Sequence, residues 1–217
     1  MSNTTLLTHS RVKLALHQLK SNGEPNLLLL HGLGEHSPKN IPEQFSSWPG
    51  SIYALDFTGH GDSTVPRGGG YTAELLMSDA DIALAQLGKA TVAGRGIGAY
   101  VAVLLAGGRP EQVRGTILLD GPGLAGGGSG STSPFIVFPD MTQMTPPDPF
   151  VLAELSVDVR PPDYCMEFLR LASQYSNLSR PFSICCEEEP DWLAAMAGQP
   201  GVEKVNLEEA LAFYSSE

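Results

Sequence analysis

Short apolar runs alternate with longer stretches of helical spacing along this chain, and that alternation narrows its folds more than any other feature. Leu27–Leu30 is four leucines in succession, a run suited to a strand buried on both faces. Ser51–Leu55, Ala90–Ala93, Val113–Leu119 and Phe182–Cys186 are similar runs, each giving way to glycine, aspartate or glutamate. Between them lie helical patterns. Thr72–Leu87 has Thr72 as N-cap, Ile97–Ala106 is closed by Gly107 and Gly108, and Asp163–Tyr175 follows Pro161 and Pro162. Val12–Leu19 alternates apolar and polar residues and predicts an outer strand, while Val202–Val205 and Leu207–Tyr214 predict a last edge strand and a last helix. Strands alternating with helices form a parallel sheet covered on both sides, and 217 residues suffice for one such domain.

One insert breaks the pattern. Residues 121–134 read GPGLAGGGSGSTSP, too poor in large side chains to pack, so a mobile loop is expected. Residues 135–160, richer in proline, methionine and aromatics, are expected to form an irregular cover over the strand ends. Together, 121–160 would be a reduced lid. A net charge of −11 argues against a nucleic-acid partner or an anionic membrane surface. The N-terminus lacks the basic start and apolar core of a signal peptide, and no segment is long and apolar enough to span a bilayer. A soluble, cytoplasmic protein is therefore expected. Cys165, Cys185 and Cys186 have no metal-ligand spacing and read as reduced packing residues.

Three glycine-rich corners follow predicted strands, where an open parallel sheet binds its ligands. The first is Leu30-His31-Gly32-Leu33-Gly34-Glu35-His36-Ser37; the second runs from Ala54 through Asp56, Gly59, His60 and Gly61 to Ser63; the third is Gly94-Arg95-Gly96-Ile97-Gly98. In this order they resemble the α/β-hydrolase superfamily, in its monoacylglycerol-lipase-like and lysophospholipase-like branch. The matching segments are HGxGEHS, D-x-x-G-H-G-x-S and the nucleophile elbow G-x-S-x-G. The motifs support the resemblance over residues 10 to 120. It implies a single α/β-hydrolase domain with a mostly parallel sheet of about eight strands and the chemistry of a carboxyl-ester hydrolase. It also implies an oxyanion hole built from the backbone N–H groups of Leu33 and Ile97, with His31, Gly32, His36 and Arg95 around it. The helix opening at Ile97 would aim its positive end at the same point.

The catalytic side chains themselves are missing. The elbow position is Gly96, which offers no hydroxyl, thiol or carboxylate. The family's histidine follows the last strand, yet after Val205 the chain runs Asn206-Leu207-Glu208-Glu209, and no histidine occurs beyond His60. His9, His17, His31, His36 and His60 read as structural or solvent-facing. Glu189 lies nearest the family's acid position, with Glu187 and Glu188 beside it. Three adjacent carboxylates equally describe a solvated acidic loop. Asp120 is an alternative acid, and equally a cap or turn residue.

The resulting expectation is a pseudo-hydrolase that holds a small molecule by a carbonyl or carboxylate group in a retained oxyanion-type pocket. No metal or organic cofactor is implied. The short lid implies an open pocket or one completed by a second copy of the chain, a homo-oligomer. Two alternatives remain. An esterase-like or lipase-like enzyme would use Ser63, Ser37 or a water with a glutamate base. A dinucleotide-binding protein would use Gly94-x-Gly96-x-x-Ala99 with Asp120 as the ribose acid.

Overall fold

The structure, a computed structural model, describes residues 3–126 and 145–216. The expected loop and cover between 127 and 144 lie outside them. Among the described residues eight strands form one sheet in the order β1-β2-β4-β3-β5-β6-β7-β8. They are β1 (Asn3–His9), β2 (Val12–Lys20), β3 (Leu27–Leu30), β4 (Ile52–Leu55), β5 (Ala90–Arg95), β6 (Val113–Leu119), β7 (Phe182–Cys185) and β8 (Val202–Lys204). β1 and β2 pair antiparallel, as do β2 and β4, and the remaining pairs are parallel. The expected mostly parallel eight-stranded α/β architecture is the one observed.

Helices α1 (Ala73–Leu87), α2 (Ile97–Gly108), α3 (Pro149–Val157), α4 (Pro162–Tyr175), α5 (Asp191–Met196) and α6 (Leu207–Ser216) complete the fold. Thr72 caps α1 as expected, its Oγ1 accepting from Leu75 N at 3.2 Å. α2 is apolar on every side because it is buried on every side: it packs on β5 and β6 and is flanked by α1 and α4.

The first core lies between one sheet face and α1 to α5. The second core, on the opposite face, is smaller. Leu27, Leu29, Ile52, Ala93 and Ile117 meet Leu211 and Tyr214 of α6 and the bulky Phe45 and Trp48. The thin cover on this side comes from the β3–β4 connection, residues 31–51, whose one regular element is the 3-10 turn Glu43–Phe45.

Three elements differ from the expectations. β1 is the outermost strand, so the segment beginning at Val12 is a second, inner strand. The expected irregular cover contains α3, started by Asp148, whose side chain accepts from Phe150 N, with proline in the first turn. The loop after Pro190 winds into α5.

Candidate functional site

Between β5 and α2 the chain turns on Gly96, at φ 59° and ψ −123°, a conformation that strains any residue with a Cβ. The flanking glycines serve close packing. A Cβ on Gly94 would lie 2.1 Å from Gly98 O, and one on Gly98 would lie 2.6 Å from Leu30 O. β3, β5 and the start of α2 can therefore approach until their backbones touch.

The amides of Leu33 and Ile97 do converge on one carbonyl oxygen, and it belongs to the chain itself. Leu33 N donates to Pro122 O at 2.9 Å and Ile97 N donates to the same oxygen at 3.0 Å. A Cβ on Gly96 would lie 2.1 Å from that oxygen and 2.7 Å from the carbonyl carbon of Gly121. The expected open receptacle is thus filled by backbone. Gly32 also makes room for this segment, since a Cβ there would lie 2.9 Å from Pro122 Cδ.

The plugging turn is tied down at both ends. Arg95 Nη1 donates to Asp120 O at 3.1 Å and Gly96 N to Leu119 O at 3.0 Å. Beyond the turn, Trp192 Nε1 donates to Leu124 O at 2.8 Å. The Arg95 guanidinium also grips Glu35, at 2.9 Å from Nε to Oε2 and 2.9 Å from Nη2 to Oε1. Glu35 Oε2 accepts from Gly32 N at 3.0 Å. Burial works against the Glu35 charge, but Arg95 and the Gly32 amide outweigh it and hold the carboxyl below its usual range.

Both candidate acids have partners of their own. The Asp120 carboxylate accepts from Glu187 N at 2.7 Å and from Glu188 N at 3.1 Å, so it closes the loop after β7. Glu189 pairs with Lys204 at 2.5 Å on an exposed surface. Against the dinucleotide reading, Asp120 is engaged by amides, the first N–H of α2 is taken by Pro122, and four strands precede β5 in the chain.

The histidines are built into the corners. His31 Nε2 accepts from Phe57 N at 3.1 Å while Nδ1 faces Gly32 O at 2.8 Å. His60 Nε2 accepts from Gly34 N at 3.2 Å, with Nδ1 on Thr58 O at 3.2 Å. Burial lowers the pKa of both imidazoles, pushing His60 down to about 3. His36 is exposed, with Nδ1 on Ser37 O at 2.8 Å.

Sequence reasoning missed two groups. Pro122 acts through a carbonyl, which has no side-chain signature. Asp56 is the hub of the second corner: burial works against its charge, but His17 Nε2, Asp62 N and Ser37 N all donate to it and hold it far below the carboxylate range. Asp79 on α1 closes the same corner by accepting from Thr58 N and Thr58 Oγ1. Among the described residues, His17, Asp56 and Asp62 form the one cluster with three ligating side chains, their ligand atoms within 4.8 Å of one another. Within the cluster His17 Nε2 bonds Asp56 Oδ2, and the Ser37 and Asp62 amides donate to the same carboxylate. Among the described residues no helix is long and apolar enough to cross a membrane.

Residues 27–213 match the sequence profile of the Alpha/beta hydrolase family. Among solved structures, the haloalkane dehalogenase from Agrobacterium tumefaciens C58 superposes with a TM-score of 0.64 at 16% identity, over 99% of this chain and 94% of that one. The thioesterase domain from the curacin biosynthetic pathway gives 0.63 at 17%, over 100% and 98%. Est1E from Butyrivibrio proteoclasticus, with ferulic acid bound, gives 0.62 at 13%, over 98% and 96%. At these identities the likeness is one of fold. No curated protein sequence matches this chain.

Proposed function

Because the chain belongs to the alpha/beta hydrolase family, we propose that it is a catalytically silent member, acting by binding or regulation rather than by acyl transfer. One observation carries this reading: the Pro122 carbonyl receives both the Leu33 and Ile97 amides, at 2.9 and 3.0 Å, where an attacking side chain and a substrate oxygen would otherwise meet. Nucleophilic catalysis needs an activated group within reach of a base. Here the elbow carries no side chain, and the segment after β8 offers asparagine rather than histidine. An enzyme that keeps only its oxyanion donors retains on the order of 10³–10⁴ over water, and in this chain those donors already have an acceptor. A ligand carbonyl or carboxylate that reaches them must displace Pro122 O.

The replacement nucleophiles are engaged elsewhere. Ser63 Oγ donates to Asp56 O at 2.6 Å and accepts from Ala15 N at 2.9 Å. Ser37 lies beside Asp56, whose carboxylate is held too acidic to serve as a base. The test is twofold, using nitrophenyl acyl esters and a serine-directed fluorophosphonate. The expected result is no saturable turnover above background and no covalent adduct. Turnover that survives purification and disappears on mutating a corner residue would overturn the proposal, as would labelling of Ser37 or Ser63.

A further inference from the structure

Among the described residues β1 ends the sheet, and it lacks the devices that usually shield an edge. Charged side chains, proline, a bulge or a very short length keep an exposed strand from pairing with another chain. β1 runs from Asn3 to His9 without proline, lysine, arginine, aspartate or glutamate, and its register with β2 is unbroken from Asn3↔Gln18 to His9↔Val12. Leu6, in its middle, is 55% exposed. The opposite edge is guarded: β8 has three residues, and two of them are the exposed Glu203 and Lys204. The bonds of β2 show which groups of β1 face outward. Lys13 N donates to Thr64 Oγ1 and Lys13 O accepts from Thr64 N, while Ala15 N donates to Ser63 Oγ and Ala15 O accepts from Asp56 N. The odd-numbered residues of β2 thus turn their backbone groups away from β1, and the even-numbered ones turn towards it. Leu14, Leu16 and Gln18 stand opposite Leu7, Thr5 and Asn3, so Thr4, Leu6 and Thr8 are left to direct their N–H and C=O groups to the free side.

Those outward residues form a self-complementary set. A two-fold axis at Leu6 sets Leu6 against Leu6 of a second copy, and Thr4 of each copy against Thr8 of the other. Each such pair exchanges two N–H···O bonds, about six in all, while the exposed leucines cover one another with threonine facing threonine on either side. A register displaced by one residue would oppose groups that point back to β2. Charge selects the occupant. The chain carries a net charge of −11, so two copies repel over much of their surface. Residues 1–23 contain no aspartate or glutamate, and the nearest cations, Arg11 and Lys13, lie in the turn and on β2. An antiparallel approach along β1 therefore opposes no like charges, and an uncharged strand offers an acidic or basic peptide nothing that would select it. We infer that β1 is a dimerisation edge, pairing antiparallel with β1 of a second copy about an axis at Leu6 and joining two eight-stranded sheets into one. Two-fold closure uses the free edge of both copies and stops the assembly at two. The elbow is closed by Leu33, Gly96, Ile97 and Pro122, none of them on β1, so dimerisation stands or falls apart from the catalytic silence proposed for that corner.

Sedimentation equilibrium of the whole chain and of two variants tests the pairing. A junction of single strands lies at the low end of interface sizes, so the parent should show a monomer–dimer equilibrium with a Kd of about 10–100 µM. Leu6→Lys and Leu6→Glu change an exposed side chain and should keep the parent's Tm. Each sets like charges face to face at the axis and should weaken the dimer about tenfold. An equimolar mixture of the two variants sets lysine against glutamate and should regain the parent's Kd within about threefold. A parent that stays monomeric at about 1 mM would overturn the inference and leave the edge to a strand of another protein. A dimer that survives both substitutions would overturn it by placing the contact elsewhere, and a mixture no tighter than either variant alone would refute the axis at Leu6.

Discussion

Replacing Gly96 by serine restores the family's elbow in name, and here it should damage the protein without awakening it. At φ 59° and ψ −123° a residue with a Cβ carries about 1–3 kcal/mol of backbone strain. That Cβ would sit 2.1 Å from Pro122 O, so the 121–122 backbone must withdraw. Withdrawal strips the acceptor from Leu33 N and Ile97 N, both on buried residues, at about 1–3 kcal/mol for each donor left unsatisfied. Even the low ends of these ranges sum to about 3 kcal/mol. For a chain of this length, about 2–4 °C of Tm accompanies each kcal/mol, so Gly96→Ser should melt about 6–12 °C below the parent. Gly96→Ala should lose nearly as much, because the offending atom is the Cβ. Thermal and urea unfolding followed by circular dichroism measure both variants. A Gly96→Ser protein within about 0.5 kcal/mol of the parent would refute the packing of the 121–122 segment on the elbow. Ester hydrolysis by that variant would refute the absence of a base.

Further predictions concern charge. His60, pushed by burial from 6.5 down to about 3, contributes stability that is complete above pH 6.5 and is lost as pH falls toward 3, at up to about 1.4 kcal/mol per pH unit. Asp79, pushed up to about 6 chiefly by burial, works in the opposite sense between its unfolded and folded values. The parent and His60→Gln should therefore be compared: the variant's urea stability should fall less steeply from pH 6.5 to pH 4, and equal slopes would contradict the assignment. Arg160 is buried, its Nε and Nη1 lack hydrogen-bond partners among the described residues, and burial lowers its pKa to about 10. Arg160→Leu should leave Tm unchanged or raise it, and a fall of several degrees would reveal a favourable partner for the charge. Asp120→Asn weakens the caps on Glu187 N and Glu188 N and should cost about 1 kcal/mol, seen as a small fall in Tm; an unchanged Tm would remove Asp120 from the loop's support.

Much of the sheet was legible because its inner strands are apolar on both faces. Leu27–Leu30 and Val113–Leu119 admit few other fates, and the corners after them are marked by glycines where backbones touch. β1 was not legible. Its Asn3-Thr4-Thr5 start is polar and its residues are mostly exposed, so it exists through long-range pairing with β2 that no local pattern announces. α3 lacks an amphipathic stripe, with Val151 and Leu155 buried while Phe150 and Val157 are exposed, and α5 has only six residues in which to display a period. Within the site, the donors Leu33 and Ile97 could be read from their corners, but the group they hold could not. Pro122 lies in a glycine-rich stretch that reads as an unpacked loop, and every residue has a carbonyl. Asp120 was placed at the right strand end, yet its partners are amides of the β7 loop rather than an imidazole.

The most direct test is the through-hydrogen-bond coupling between the Leu33 and Ile97 amide nitrogens and the Pro122 carbonyl carbon, measured by long-range HNCO spectroscopy on labelled protein. The account predicts correlations from both amides to that one carbonyl, with slow exchange of both amide protons. Rapid exchange of the two protons without any correlation to Pro122 would mean that the donors stand open, and the self-occupied elbow would be contradicted.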